Sequence, residues 1–544
     1  MGMRRTRRVF ALLLVLSLLA AGCGKKDNDE GSGGQTSEGS GEGASDATLV
    51  VGALEVPSSI DPAAVYERFA SDVLFNTTNR LVEFPPGATE PAPGLAEEWE
   101  ISDDGLTYTF HLRDEVTFHN GKRLAASDVK YSLERAIKFN DPDGASFLLQ
   151  SRDDADKVVA GIESIETPDD STVVIKLVEP NITFLSRLNY TVASVIPDDG
   201  SYKDPEALLT GDVASQLEDF ENVETVVGTG AFKLTDYKPG EEMTLERFDD
   251  YWGEKAKVKT VRIKFFAESS QLLNALKNGE VDLNVNELGP AERTGLEGVD
   301  TVETFKGPGA RTRYLVIDVT KPPFDNVKVR QAIAATVDRQ RIIDEVFEGA
   351  GEELFSMVPA SFEDVSKDYI SDLKADLPAG QKIKFELWYP LNKYGDTEPD
   401  MAENVARSLN ESGLFDVTTK SADWAAEYSD NTGVGSPYGI YTLGWYPDYF
   451  DADDYIEPFY SGEGFLGHYT DPAMDELIVK EQQETDADAR AEIFDEIQKK
   501  AAEDMPFVPL YAEAPFAYYA KGLTGVESTM DAVQQTRWFV IGKE

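Results

Sequence analysis

The chain has 544 residues with 100 acidic against 51 basic side chains, a formal net charge of −49. A surface this acidic repels the phosphates of nucleic acid and anionic lipid headgroups, which argues against both as partners. A single cysteine, Cys23, and three histidines, His111, His119 and His468, exclude a disulfide and leave little for a metal cluster, so no metal site and no cofactor are expected.

Arg4, Arg5, Arg7 and Arg8 lead into the apolar run Val9 to Ala21, which stops at Gly22-Cys23. A basic start, a short apolar core and small residues before a cut describe a secretory signal peptide over residues 1–22. The run is shorter than the roughly 20 apolar residues of a membrane span. Ala20-Ala21-Gly22-Cys23 resembles a bacterial lipobox, in which the cysteine is acylated and becomes the first residue after cleavage. Cys23 is thus the expected lipidation site; the alternative is a plain signal peptide with an incidental cysteine. Thr6-Arg7-Arg8-Val9-Phe10 also resembles a twin-arginine signal, which leaves two export routes open. Cleavage removes four arginines and no acid, so the charge moves to −53. Residues 24–46 (GKKDNDEGSGGQTSEGSGEGASD) are almost devoid of apolar side chains and cannot bury a core. With Cys23 they form a tether, residues 23–47, with a reach of roughly 25–30 Å. The protein is therefore expected on the extracytoplasmic face of the cell membrane, held by lipid.

The chain from Thr48 onward is long enough for two or more cores. Leu49 to Leu54 reads as a short buried strand opening the body at Thr48. The Asp103-Asp104-Gly105 turn precedes an alternating strand, Leu106 to Arg113. Val129, Leu133 and Ala136/Ile137 share a helical face, with Ser127 placed to cap it and Asp128 favourable at its start. Strands are expected over Thr172 to Val178, Val258 to Phe266 and Val281 to Val285, and a helix over Ser270 to Asn278 closed by Gly279. Asn326 caps one long helix carrying Val329, Ile333, Val337 and Ile343 and ending at Gly349. Two late helices run over Pro472 to Gln483 and Ala487 to Asp504. Strands and helices alternate with no fixed-period repeat, which gives a mixed α/β class with more than one lobe.

An ordered set of segments resembles one family. It begins with Pro93-Gly94-Leu95-Ala96-Glu97-Glu98-Trp99, runs through Ser102 to Arg113, Phe118-His119-Asn120-Gly121-Lys122 and Ser127 to Ser132, and continues with Gly228-Thr229-Gly230-Ala231-Phe232. Tyr251-Trp252, Gly279-Glu280-Val281-Asp282, Lys321-Pro322-Pro323-Phe324-Asp325-Asn326, Val329-Arg330-Gln331-Ala332-Ile333 and Gly444-Trp445-Tyr446-Pro447-Asp448-Tyr449 complete it. Together these resemble extracellular solute-binding protein family 5, the oligopeptide- and dipeptide-binding lipoproteins of ABC importers.

The resemblance implies an α/β, two-lobed periplasmic-binding-protein (Venus flytrap) fold with an extra subdomain inserted in lobe one. Lobe one would span 48–310, its insert roughly 83–165, lobe two 311–512, and 513–544 would return to lobe one. Ligand is trapped as the lobes close about a hinge, and the closed form docks on the ABC permease. A monomer with no catalytic activity is expected.

The resemblance also places ligand contacts. Asp448 would pair with the terminal ammonium of a peptide, a charge-assisted bond. The backbone at Gly444 and Tyr446 would pair with the ligand main chain as an added strand. Glu55 and Val56 would offer the opposite edge, and Trp445 a wall or a core plug. Arg311 and Arg313, beside the hinge, could each hold a ligand carboxylate bidentately. Pro447 departs from the small residue usual at its position. The aromatic side chains around Tyr438 to Phe450 also suit sugar stacking, so an oligosaccharide stays open as a ligand, as does a metal chelate. An exported hydrolase is the competing class. Ser127-Asp128-Val129-Lys130 matches a serine–lysine pattern, but no Lys-Thr-Gly follows and no Gly-x-Ser-x-Gly elbow occurs.

Overall fold

A computed structural model describes residues 45–543 except 86–87, 142–143, 153–157, 203–222, 224–225, 286–287, 308–310, 363–364, 378–379, 381, 392, 434, 463–467 and 531–534. The expected signal peptide, Cys23 and all but the end of the expected tether lie outside the described residues. Among the described residues no helix is long and apolar enough to cross a membrane.

Two sheets organise the two lobes. In lobe one, a seven-stranded sheet has Thr48–Ala53 near its centre, parallel to Thr260–Phe265 and to Leu283–Val285. Leu49, Val51 and Ala53 enter the large core of this lobe, while Val50, pointing the opposite way, joins Leu272, Leu276 and Tyr518. A five-stranded antiparallel sheet, from Ala96–Ile101 to Thr172–Leu177, shares that large core through Phe110, Ile165 and Val173. The expected end of the insert at 165 falls inside the strand Val158–Asp169, whose pairing with Thr172–Leu177 carries this sheet on to Leu177.

Lobe two is built on a six-stranded sheet in the order Gly351–Glu353, Phe507–Glu513, Arg311–Ile317, Ile440–Trp445, Ile383–Leu391, Phe415–Asp423. Arg311–Ile317 is covered on both sides. Leu315 and Ile317 enter one core, Tyr314 and Val316 the other, so the strand reads as an unbroken apolar run. The chain passes from the first sheet after Lys306 to the second at Arg311, and returns between Glu513 and Phe516. The expected boundary at 512 lies one residue inside a strand of lobe two, because Glu513 still pairs with Arg311.

Two helix termini differ from expectation for local chemical reasons. Ser127 is not the cap of helix Ala126–Phe139. The Asp128 carboxylate accepts from the Ala125 N–H at 3.0 Å, binds Lys122 and takes the Asp198 N–H at 2.8 Å, satisfying the helix start itself. Asn326 does cap a helix, accepting from Lys328 N at 3.0 Å, but that helix stops at Thr336. Asp338 then caps a second one, Arg339–Val346, through Arg341 N at 3.0 Å. The helices Pro472–Gln483 and Ala487–Asp504 have the expected bounds.

Candidate ligand-binding site

Asp448 follows the strand Ile440–Trp445 and is buried, 5 % exposed. Its Oδ2 accepts a hydrogen bond from the Tyr66 hydroxyl of lobe one at 3.0 Å. Tyr66 is itself edge-on to Tyr190 and Phe147. The backbone N–H of Asp448 donates to Asp454 Oδ2 at 3.0 Å, and the Trp445 indole N–H reaches the same oxygen at 3.1 Å. Trp445 is thus a core plug, packed edge-on against Phe459. Asp454 Oδ1 is buried with no hydrogen-bond partner among the described residues. No salt bridge among the described residues reaches Asp448 or Asp454. Burial raises the Asp448 carboxyl to about 7, against the Tyr66 hydrogen bond and the Arg187 charge, which lower it. Burial also raises Asp454 well above its ordinary value, and the neighbouring Asp448 charge adds to it. Two buried carboxyls without a cation of their own either hold protons or wait for a cation from outside.

The nearest arginine is already engaged. Arg187 of lobe one donates to Asp453 Oδ2 at 3.1 Å and to the Tyr449 hydroxyl at 3.2 Å, with its guanidinium 5.1 Å from the Tyr449 ring centre. Beside it, the Ile182 N–H donates to the Gln482 carbonyl at 2.8 Å. These bonds run between the lobes and clamp them next to Asp448.

Arg311 and Arg313 face internal acids. Arg313 is 1 % exposed and lies 3.2 Å from Glu398 and 3.3 Å from Glu513; Arg311 lies 3.3 Å from Glu513. Arg311 also donates to the Tyr446 hydroxyl and sits over that ring at 4.5 Å. Glu513, half-buried, is held below the ordinary carboxylate range by both guanidiniums.

Gly444 and Tyr446 lie beside Asp448, and the Tyr394 hydroxyl stands on Gly444, accepting from its N–H at 3.1 Å. From lobe one, Val56 is exposed and Glu55 half-buried. Burial raises the Glu55 carboxyl, with the charge of Arg68 chief among those opposing. Lys393 of lobe two also acts on Glu55, and its ammonium lies 4.7 Å from the Trp424 ring centre. No salt bridge to Lys393 occurs among the described residues.

The structure therefore brings Gly444, Trp445, Tyr446 and Asp448 together on one segment. It adds residues that sequence reasoning misses: Tyr66, Tyr190, Arg187, Lys393, Tyr394 and Asp454. Asp454 is visible in the sequence only as one acid in an acidic run; the others lie far from the Gly-Trp motif and have no motif of their own.

The family model of the bacterial extracellular solute-binding proteins, family 5 (middle), matches residues 90–467. The chain belongs to this family. This family 5 protein is 27 % identical to heme-binding protein A of Haemophilus influenzae, over 93 % of this chain and 97 % of that one. It is 29 % identical to the dipeptide-binding protein of Escherichia coli, over 70 % of this chain and 72 % of that one. Among solved structures it is similar to the ABC transporter-associated periplasmic binding protein DppA of Helicobacter pylori in complex with the peptide STSA. That likeness has a TM-score of 0.75 at 25 % identity and covers 92 % of this chain and 98 % of that one. The family 5 protein is thus an extracytoplasmic solute-binding protein with the two-lobed fold.

Proposed function

We propose that this protein is the membrane-tethered receptor of an ABC importer that captures short peptides by lobe closure and passes them to a permease, without catalysing a reaction. The observation that carries the peptide reading is Asp448: a buried carboxyl at the meeting of the lobes, with no cation of its own, in a segment whose neighbouring backbone can add a strand. A terminal ammonium supplies the missing charge and the peptide main chain supplies the strand partners. The dipeptide-binding relative and the peptide-bound structural neighbour support the same ligand class. Because the bonds are to backbone and ammonium, the side chains of the ligand are read weakly and specificity is broad. Closure needs a ligand that favours the closed state, and one that touches Tyr66 and Asp448 together contacts both lobes. Cys23 carries the lipid, residues 24–47 the tether, and the protein works as a monomer.

Calorimetric titration with dialanine and with N-acetyl-dialanine tests the reading. Dialanine should bind, and acetylation should abolish the heat because it removes the ammonium. Equal affinity for the two compounds would end the ammonium-anchor role.

A further inference from the structure

Gly444 pairs opposite Arg313 in the antiparallel ladder between Ile440–Trp445 and Arg311–Ile317. Its N–H donates to the Tyr394 hydroxyl at 3.1 Å, and its carbonyl accepts from that hydroxyl at 3.4 Å. Facing residues of such a ladder either exchange both bonds or exchange none. With both groups turned to Tyr394, Gly444 is of the second kind and points to the open edge. The other neighbour, Ile383–Leu391, pairs with this strand at Trp388–Tyr441 and has no ladder partner at Gly444. Tyr446 follows the last residue of this strand, Trp445. Among the described residues no hydrogen bond reaches the Tyr446 main chain.

The edge is therefore open beside Tyr446 and closed at Gly444. What closes it is firmly held. The Tyr394 ring lies over the Arg313 guanidinium at 3.8 Å, and Arg313 is fixed between Glu398 and Glu513. Glycine at 444 is required for this, since a Cβ there would sit 1.7 Å from Arg313 Nη1.

We propose that Tyr394 determines ligand length: its hydroxyl ends the strand-adding edge and restricts the ligand to a dipeptide. The inference rests on the ammonium anchor proposed above. From Asp448 to Gly444 is four residues, at most about 13 Å of chain. A dipeptide with its ammonium on Asp448 runs past Tyr446 and stops. A third residue needs the N–H and carbonyl of Gly444, which Tyr394 holds, and its chain would run into the ring.

The test is calorimetry of di-, tri- and tetra-alanine against the wild-type protein, Tyr394→Phe and Tyr394→Ala. Wild type should bind dialanine at least tenfold more tightly than tetra-alanine. Tyr394→Ala should raise the ratio of tetra-alanine to dialanine affinity at least tenfold. Tyr394→Phe, which keeps the ring, should raise it less; it also serves as the folded control. The proposal is overturned if wild type binds tetra-alanine as tightly as dialanine, or if the ratio is the same in all three proteins. In either case binding of dialanine leaves the ammonium anchor standing. If no peptide binds wild type at all, the peptide reading fails and the length limit with it.

Discussion

Tyr66 of lobe one donates its hydroxyl to Asp448 Oδ2 of lobe two at 3.0 Å. This bond joins the lobes at the carboxyl assigned to the ligand ammonium, so ligand capture and lobe closure act on one oxygen. With Asp448 as the ammonium anchor, its charge state is expected to control binding.

Peptide affinity should therefore depend on pH. The Asp448 carboxyl, raised to about 7 by burial, is protonated below that pH in the empty site, and an ammonium must displace the proton. Affinity measured by calorimetry should fall between pH 7 and pH 5, approaching tenfold per unit. Stability of the empty protein should move the other way. A carboxyl whose folded value is raised binds its proton more tightly in the native state, so its contribution is full below about 3.8 and is lost as pH rises through about 7. Asp448→Asn removes the buried charge and keeps an acceptor for Tyr66. Its melting temperature should exceed that of wild type at pH 8, and the gap should narrow steadily as pH falls toward 4.

Arg187→Met should loosen the clamp without touching the ligand. It deprives the buried Asp453 of its partner across the lobes, and breaking such a pair costs roughly 2–5 kcal/mol. Small-angle scattering of the ligand-free variant should show a larger radius of gyration than wild type. Dialanine affinity should fall with it, mainly through faster dissociation. An unchanged radius would show that this clamp does not hold the lobes.

Lys393 is the cation of lobe two near Glu55 that no described carboxylate pairs, whereas Arg311 and Arg313 are already engaged. With Asp448 holding the ammonium, Lys393 is the group expected at the carboxylate end of a dipeptide. Dialanine amide should bind wild type more weakly than dialanine, and Lys393→Met should shrink that difference to within about threefold. A retained preference in the variant would return the role to one of the arginines.

Cys23→Ala should move the protein from the membrane fraction to the soluble fraction on cell fractionation. Retention on the membrane would rule out the lipid anchor.

Much of the fold is legible in the sequence because it rests on local rules. The late helices begin at Asp471 and Asp486, side chains that accept from the first backbone N–H groups, and pattern alone bounds both correctly. The Gly444–Asp448 segment can be read because its residues are contiguous. The helix expected after Asn326 runs too long because Asp338 reads as a surface acid in an apolar stripe, when its carboxylate starts a new helix. Tyr66 and Asp448 are 382 residues apart, and Arg187 and Asp453 are 266 apart; such pairs are made by the fold and leave no spacing in the chain. The arginines at the lobe crossing carry the same limit. Nothing in Arg311-Thr312-Arg313 reveals that Glu398 and Glu513 arrive beside them.

Native mass spectrometry of the protein from residue 48 onward, gently purified, with the bound molecule released and identified, reads the cargo itself. A set of short peptides with free amino termini, dominated by dipeptides, is expected. A single sugar, a heme or a metal chelate in their place would contradict the assignment of Asp448 and of the peptide cargo.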